Sequence, residues 1–229
     1  MINLFSVRMN SYSHKVMNEE RKRIFCMFKK WMDFKLIGGI FFAFLLIYVT
    51  FDRKDVFWYL YTATLLFLIS YTIINEHLDD EVPAKDYIKH GLWSGISLYL
   101  LFFAGNWIFS VMPGSLNDQV ASIFKHFSFT FIWHYLVLIF IIIPGEEIFW
   151  RGFVLRRMAR LLRPSTAIVA AAVLNGAGFI LSGYPVLALA AFVSGLVWGS
   201  LYMWKRSIPL VIFSHLTFDL LLLIIFPLY

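Results

Sequence analysis

The stretch "IIIPGEEIFWRGFVLRRMAR", Ile141 to Arg160, places two adjacent glutamates directly after an apolar run. The run belongs to a chain of 229 residues that is 60% hydrophobic and has a mean hydropathy of +0.74. Soluble domains are only about 45–50% apolar. The composition therefore predicts an integral membrane protein, in which Glu146 and Glu147 lie at membrane depth.

Seven windows of the chain suit membrane helices, which need about 20 mostly apolar residues. They are Leu36 to Phe51, Val56 to Ile74, Gly91 to Met112, Phe127 to Leu155, Ala167 to Leu181, Val186 to Trp204 and Ile208 to Leu228. The pattern predicts an all-α fold, a polytopic transmembrane helical bundle of about seven membrane helices. We expect residues 34–229 to form one transmembrane domain. Residues 1–33 form a basic N-terminal segment, cytosolic or interfacial.

Basic residues are distributed unevenly between alternate loops. With a cytosolic N-terminus, only Arg53, Lys54 and Lys125 of the 20 Lys and Arg residues fall outside. Because basic loops stay in the cytosol, this bias predicts a cytosolic N-terminus and an outer C-terminus. We therefore expect a multi-pass protein surrounded by the lipid bilayer of a bacterial-type plasma membrane.

Charge and cysteine content exclude other classes. The net charge of +6 comes from basic residues at the ends of apolar segments, so we expect no nucleic-acid partner. Cys26 is the only cysteine, which excludes an intrachain disulfide and a cysteine-rich metal site.

Ionisable side chains inside a bilayer are costly and by default mark a functional site. Four side chains fit this description: Glu146, Glu147, His215 and Asp219. At a rise of about 1.5 Å per residue, Glu146 lies about 15 Å from Arg156, and His215 lies about 13 Å from Arg206. Two helices far apart in sequence therefore bring ionisable groups to a similar depth.

Spacing within each helix separates these groups by role. Glu147 and Arg151 are four residues apart and can pair on one helical face, as can His215 and Asp219. Glu146 is rotated by about 100° from Glu147 and escapes the arginine. We expect Glu147 and Arg151 to fix the geometry, and Glu146, His215 and Asp219 to face a cavity and carry the chemistry.

Two chemistries suit this set of residues. Glu146 in a poorly solvated cavity is suited to act as a general base on water, with His215 stabilising an oxyanion. Alternatively, Glu146, His215 and Asp219 supply the three protein ligands of a zinc ion that activates the same water. Both alternatives remain open from the residues alone.

The motifs resemble those of the CAAX-protease and bacteriocin-processing (CPBP) family of intramembrane proteases, also called the Abi family. The first family motif is "EEIFWR", Glu146 to Arg151, and a later one is "HLTFD", His215 to Asp219. The similarity covers roughly Phe127 to Tyr229. It implies peptide-bond hydrolysis with Glu146 activating water. We therefore expect an intramembrane endopeptidase that cleaves a membrane-associated peptide or protein from a cavity open to the cytosolic side.

One family motif departs from the usual pattern. Relatives carry phenylalanine, three residues and a histidine on an intervening helix, where "AAAVLNGAGFILSG" offers Asn175 and Phe179. Asn175 is therefore a candidate to replace the hydrogen bonding of that histidine. The missing histidine also supports an alternative, a catalytically impaired member that acts as a binding or immunity protein. A small transporter is a further alternative, because carriers also use buried acids and histidines.

Overall fold

The computed structural model describes residues 33–78, 80, 82–111 and 116–228, so the expected N-terminal segment falls outside it up to residue 32. Backbone contacts divide the chain into Met1–Ile37 and Gly38–Tyr229, and the candidate site lies within the second unit. The described residues are mostly helical and form no β-strand. Their main helices are α1 (Phe34–Asp52), α2 (Phe57–Asn75), α3 (Trp93–Val111), α4 (Leu116–His126), α5 (Ile132–Leu161), α6 (Pro164–Ile180), α7 (Pro185–Lys205) and α8 (Ile208–Ile225).

Six of these helices are long and apolar enough to cross a membrane, namely α1, α2, α3, α5, α7 and α8. Helix α6 is apolar as well but has only 17 residues. The predicted polytopic transmembrane bundle is thus confirmed, with six candidate membrane helices among the described residues where about seven were predicted. The sequence analysis missed α4, because this short amphipathic helix lacks a continuous apolar run.

Prolines in the first turn begin the three helices that follow α5. They are Pro164 in α6, Pro185 in α7 and Pro209 in α8. Proline fits this turn because the N–H that it lacks has no partner within the helix. Ser207 caps α8, since its hydroxyl accepts a hydrogen bond from the Leu210 N–H at 3.2 Å.

Helix α5 carries the glutamates and is not a regular α-helix. Wide π-helical stretches, Leu138–Ile142 and Ile148–Leu155, flank the α-helical segment Ile143–Glu147. Irregular backbone therefore lies on both sides of Pro144 and Gly145. π-helical turns occur often at functional sites.

The close approach of α2 to α5 depends on Gly145. A Cβ atom at this position would lie 3.0 Å from the Leu65 Cβ of α2 and 3.3 Å from Ile69 Cδ1. A larger residue would require Leu65 or Ile69 to give way by a few tenths of an ångström. Tyr61 lies one helical turn before Leu65, so this contact also sets how close its side chain comes to the glutamates.

Glu76, just after α2, forms ion pairs at the basic end of the bundle, the end that carries Arg156, Arg157 and Arg160. Its buried carboxylate lies 2.7 Å from Arg157, 2.5 Å from Arg160 and 3.4 Å from Arg156. These three arginines belong to the last part of α5. The ion pairs therefore tie the end of α2 to the end of α5.

Asp80 connects the loop after α2 to the start of α8. The Tyr87 hydroxyl donates to Asp80 Oδ2 at 2.5 Å, and the Ser207 hydroxyl donates to Oδ1 at 2.7 Å. Asp80 and Ser207 also form an isolated antiparallel β-bridge. The hydrogen bonds from Tyr87 and then Ser207 lower the pKa of the Asp80 carboxyl from its ordinary value.

Candidate active site

Glu147 is the fully buried centre of the candidate site. Its Oε1 accepts hydrogen bonds from Arg151 Nη1 at 3.1 Å and from His215 Nδ1 at 2.7 Å. The pair of Glu147 and Arg151 predicted from their spacing is therefore present. The sequence predicted that His215 and Glu146 face one cavity; the hydrogen bond of His215 itself goes to Glu147 and links α8 to α5.

The His215 ring is held by packing as well as by this hydrogen bond. Trp198 of α7 stacks on the ring, with 3.8 Å between centroids and 27° between planes. The Trp198 Nε1–H donates to the Ser214 hydroxyl at 3.1 Å, and the Ser94 hydroxyl of α3 donates to the same oxygen at 2.7 Å. Helix α7 therefore packs directly on the imidazole, and α3 and α7 together hold the neighbouring Ser214.

Trp198 also contacts the second partner of Glu147. The Arg151 guanidinium lies over the indole, 5.3 Å from the ring centroid, a geometry typical of a cation–π contact. Trp198 thus packs against both donors that bind the buried carboxylate. No sequence motif pointed to Trp198, Ser214 or Ser94, since their roles depend on which helices are neighbours.

Asp219 lies on the other edge of the imidazole. Its Oδ2 is 3.6 Å from His215 Nε2, which is beyond the range of a direct hydrogen bond. The spacing of four residues has placed both side chains on one face of α8, as predicted. With Glu147 at Nδ1, the His215 ring lies between two carboxylates.

Glu146 is half-buried and makes no hydrogen bond to these residues in the described structure. Its carboxylate accepts a hydrogen bond from the Tyr61 hydroxyl of α2. Among the described residues, no Lys, Arg or His lies within ion-pair distance of Glu146. The adjacent glutamates therefore have different surroundings, a cationic one for Glu147 and a neutral hydroxyl donor for Glu146.

A cavity of about 250 Å³ brings the predicted residues together. Its wall includes Glu146, His215 and Asp219, and also Asn175 and Phe179. The agreement in depth between α5 and α8 that the sequence suggested is therefore real. Most of the remaining wall is aromatic or aliphatic, so the ionisable groups form a polar patch inside an apolar chamber.

The cavity extends toward the end of the bundle opposite the basic end. Its wall reaches the exposed Ser128 and the neighbouring Phe129, which precede α5, and Phe57 at the start of α2. The side chains of Phe153 and Tyr202, nearer the basic end, are fully buried and do not line the cavity. From the sequence we expected a cavity open to the cytosolic side; in the structure the cavity wall extends away from the basic end of α5.

Asn175 occupies the wall where the family pattern has other residues. Its side chain is buried, and Nδ2 donates to the Ala191 carbonyl of α7 at 3.3 Å. Its Oδ1 has no hydrogen-bond partner among the described residues. Phe179, one turn further along α6, packs edge-on against Phe51, with 6.0 Å between ring centroids.

The residues do not fit the zinc alternative. Within the described part of the chain, no three His, Cys, Asp or Glu side chains are grouped so that they could hold a metal ion. His215 Nδ1 is already bound to Glu147, and Glu146 is turned toward Tyr61. We therefore derive no chemical step through a metal.

Comparison with known families supports the resemblance seen in the motifs. Residues 128–221 match a family model described as "Type II CAAX prenyl endopeptidase Rce1-like". The matched segment contains α5, α6, α7 and most of α8, and therefore every predicted site residue. No curated protein and no solved structure matches the chain. The match confirms the resemblance to the CPBP family of intramembrane proteases over this part of the chain.

Proposed function

We propose, from the match of residues 128–221 to this protease family, that the protein is an intramembrane endopeptidase that hydrolyses a peptide bond with Glu146 as general base. The observation that carries the proposal is the environment of Glu146. Its carboxylate borders the cavity with no cation paired to it in the described chain, while Glu147 binds both nearby cationic side chains. Glu146 is thus the carboxylate available to a water molecule.

The reaction follows from the arrangement of these groups. Glu146 takes a proton from a water molecule in the cavity, and the resulting hydroxide attacks the scissile carbonyl. The protonated His215 ring donates from Nε2 to the oxyanion, because Nδ1 already donates to Glu147. Glu146 then gives its proton to the departing amine, which restores the carboxylate.

Glu147 and Arg151 act in this scheme by holding His215. The carboxylate fixes Nδ1, the guanidinium balances the buried charge, and Trp198 fixes the plane of the ring. Asp219, 3.6 Å from Nε2, lies where it can bridge to His215 through a water molecule. Asn175 presents an unpaired Oδ1 in the wall, which is suited to accept a hydrogen bond from a substrate N–H.

The substrate in this proposal is a membrane-associated peptide or protein, because the cavity is mostly apolar and lies within the bundle. The distribution of basic residues supports a plasma-membrane location with a cytosolic N-terminus and an outer C-terminus. In that orientation the cavity faces the outer side, since it extends away from the basic end of α5. We therefore expect the substrate to approach from the outer leaflet.

The test is proteolysis of a membrane-peptide library by the full-length protein in liposomes. We expect wild type to cleave, and Glu146→Gln to lose at least about 100-fold in kcat, because a general base contributes about 10²–10⁴-fold. Asp118→Asn is the matched control, because it also neutralises a carboxylate but at an exposed position on α4. It should cleave like wild type. A chelator arm tests whether cleavage needs a metal.

The outcomes separate the proposal from its rivals. Cleavage that is unchanged in Glu146→Gln contradicts the assigned role. A folded wild type that cleaves nothing favours a non-catalytic binding or immunity protein, for which Asn175 and Phe179 in place of the usual motif are the reason. Solute uptake into proteoliposomes that is lost in Glu146→Gln favours a carrier.

A further inference from the structure

Tyr61 is the hydrogen-bond donor to Glu146, and it lies outside the segment that matches the protease family. It belongs to α2, whose side chains face α5 across the close contact at Gly145. The tyrosine is 5% exposed, and its ring lines the same cavity as Glu146 and His215. The first half of the chain therefore contributes a side chain to the candidate site.

The hydroxyl has no other partner in the described structure than the Glu146 carboxylate. Its ring is held independently, stacked on Phe57 with 5.3 Å between centroids and tilted against Phe51 at 6.2 Å. Because the ring is fixed by aromatic packing, the hydroxyl is directed at Glu146 before any substrate binds. Such preorganisation is what a general base needs in order to hold a single orientation.

We propose that Tyr61 is a positioning residue for Glu146. Its hydroxyl orients the Glu146 carboxylate and stabilises the charged form of that carboxylate in the apolar cavity. The inference rests on the proposed function of Glu146. A neutral donor suits this task, because it supports the charge without forming the ion pair that would compete with proton uptake from water. Glu147, which is paired with Arg151, shows the contrasting arrangement one residue away.

The variant Tyr61→Phe removes the hydroxyl and keeps the ring packing. A hydrogen bond to a charged group makes a difference of about tenfold to a hundredfold in an equilibrium or rate. We expect kcat to fall by about that factor with little change in KM. The acid limb of the pH–rate profile should move to higher pH, because the carboxylate form of Glu146 has lost its donor.

Tyr99→Phe is the matched control. Tyr99 is also a buried tyrosine in a membrane helix, but its hydroxyl donates to the Phe226 carbonyl at 3.0 Å, away from the site. It should leave the acid limb and kcat as in wild type. An acid limb that stays in place in Tyr61→Phe, or a loss of kcat equal to that of Tyr99→Phe, overturns the proposal.

A second measurement judges Tyr61 even if the wild type cleaves no peptide. Infrared spectroscopy follows protonation of carboxyl groups, and the band missing in Glu146→Gln identifies Glu146. We expect this band to titrate at higher pH in Tyr61→Phe than in wild type and Tyr99→Phe. An unchanged titration of this band refutes the role of Tyr61. A shifted titration in a protein that cleaves no peptide supports the role of Tyr61 toward Glu146 and counts only against the proteolytic function.

Discussion

Replacing Glu147 by glutamine tests whether one buried carboxylate holds the site together. The side chain is 0% exposed and accepts hydrogen bonds from Arg151 and His215. Glutamine has almost the same shape but no charge, and only one of its two terminal groups is an acceptor. The substitution therefore leaves the Arg151 guanidinium, 3% exposed at its side chain, without a counter-ion at that position.

The expected cost follows from this burial. Removing one partner of a buried ion pair destabilises a protein by about 3–5 kcal/mol, because the remaining charge stays desolvated and unpaired. The double variant Glu147→Gln, Arg151→Met removes that charge as well. The amide carbonyl of the introduced glutamine can still accept from His215, so we expect the double variant to recover at least about half of the loss.

The assay is reversible unfolding in mixed micelles, followed by the fluorescence of the eight tryptophans. Wild type, the single variant and the double variant are compared with Asp118→Asn, an exposed substitution that we expect to change the free energy of unfolding by less than about 0.5 kcal/mol. A loss below about 1 kcal/mol in Glu147→Gln would refute the reasoning. A double variant that is no more stable than the single one would refute it too, since the penalty would not come from Arg151.

Three further predictions address the helix contact behind His215, the mouth of the cavity and the loop at the basic end. In Gly95→Ala the new Cβ would lie 2.5 Å from the Ser214 carbonyl oxygen, so we expect a loss of about 1–3 kcal/mol in unfolding free energy and weaker cleavage. The control is Gly105→Ala on the same helix, whose new Cβ meets no atom within 4 Å and should not lower the unfolding free energy. Ser128→Trp places a larger side chain where the cavity wall is exposed and should narrow the entrance. Steady-state kinetics should then show a higher KM, with little change in thermal stability. An unchanged KM would contradict an entrance at Ser128. Hydrogen bonds lower the pKa of Asp80 in the folded state, so its contribution to stability is present above the unfolded pKa of about 3.9 and is lost as pH falls through the lower folded pKa. Asp80→Asn should therefore flatten the acid side of the stability–pH curve. An unaltered curve would contradict this role of Asp80.

The residues of the candidate site could be predicted from the sequence because the spacing that identifies them is local. Glu147 with Arg151, and His215 with Asp219, lie four residues apart, and a helix places such residues on one face regardless of its neighbours. Distance from the basic residues then gave the depth of each group in the membrane. Similar depth was enough to predict that α5 and α8 meet at these side chains, and they do.

Depth, however, does not specify rotation about the helix axis. From the sequence, His215 was grouped with Glu146 as a residue that faces one cavity, and both do line it, but nothing in the spacing predicted that the hydrogen bond of His215 goes to Glu147. Helix α5 is π-helical on both sides of the glutamates, which changes the direction of the side chains in a way that residue spacing does not reveal.

The sequence by itself determined that this protein is a helical membrane bundle, that its ionisable groups at membrane depth form a candidate site, and which family its second half resembles. These properties follow from composition, helical periodicity and the free-energy cost of charge in lipid, all of which act along the chain. Only the tertiary structure decided that Tyr61 and Trp198 reach the site and that the cavity opens away from the basic end. Those features depend on how neighbouring helices pack, through close contacts such as the one at Gly145, and packing of apolar surfaces leaves no short signature in a sequence in which most residues are apolar.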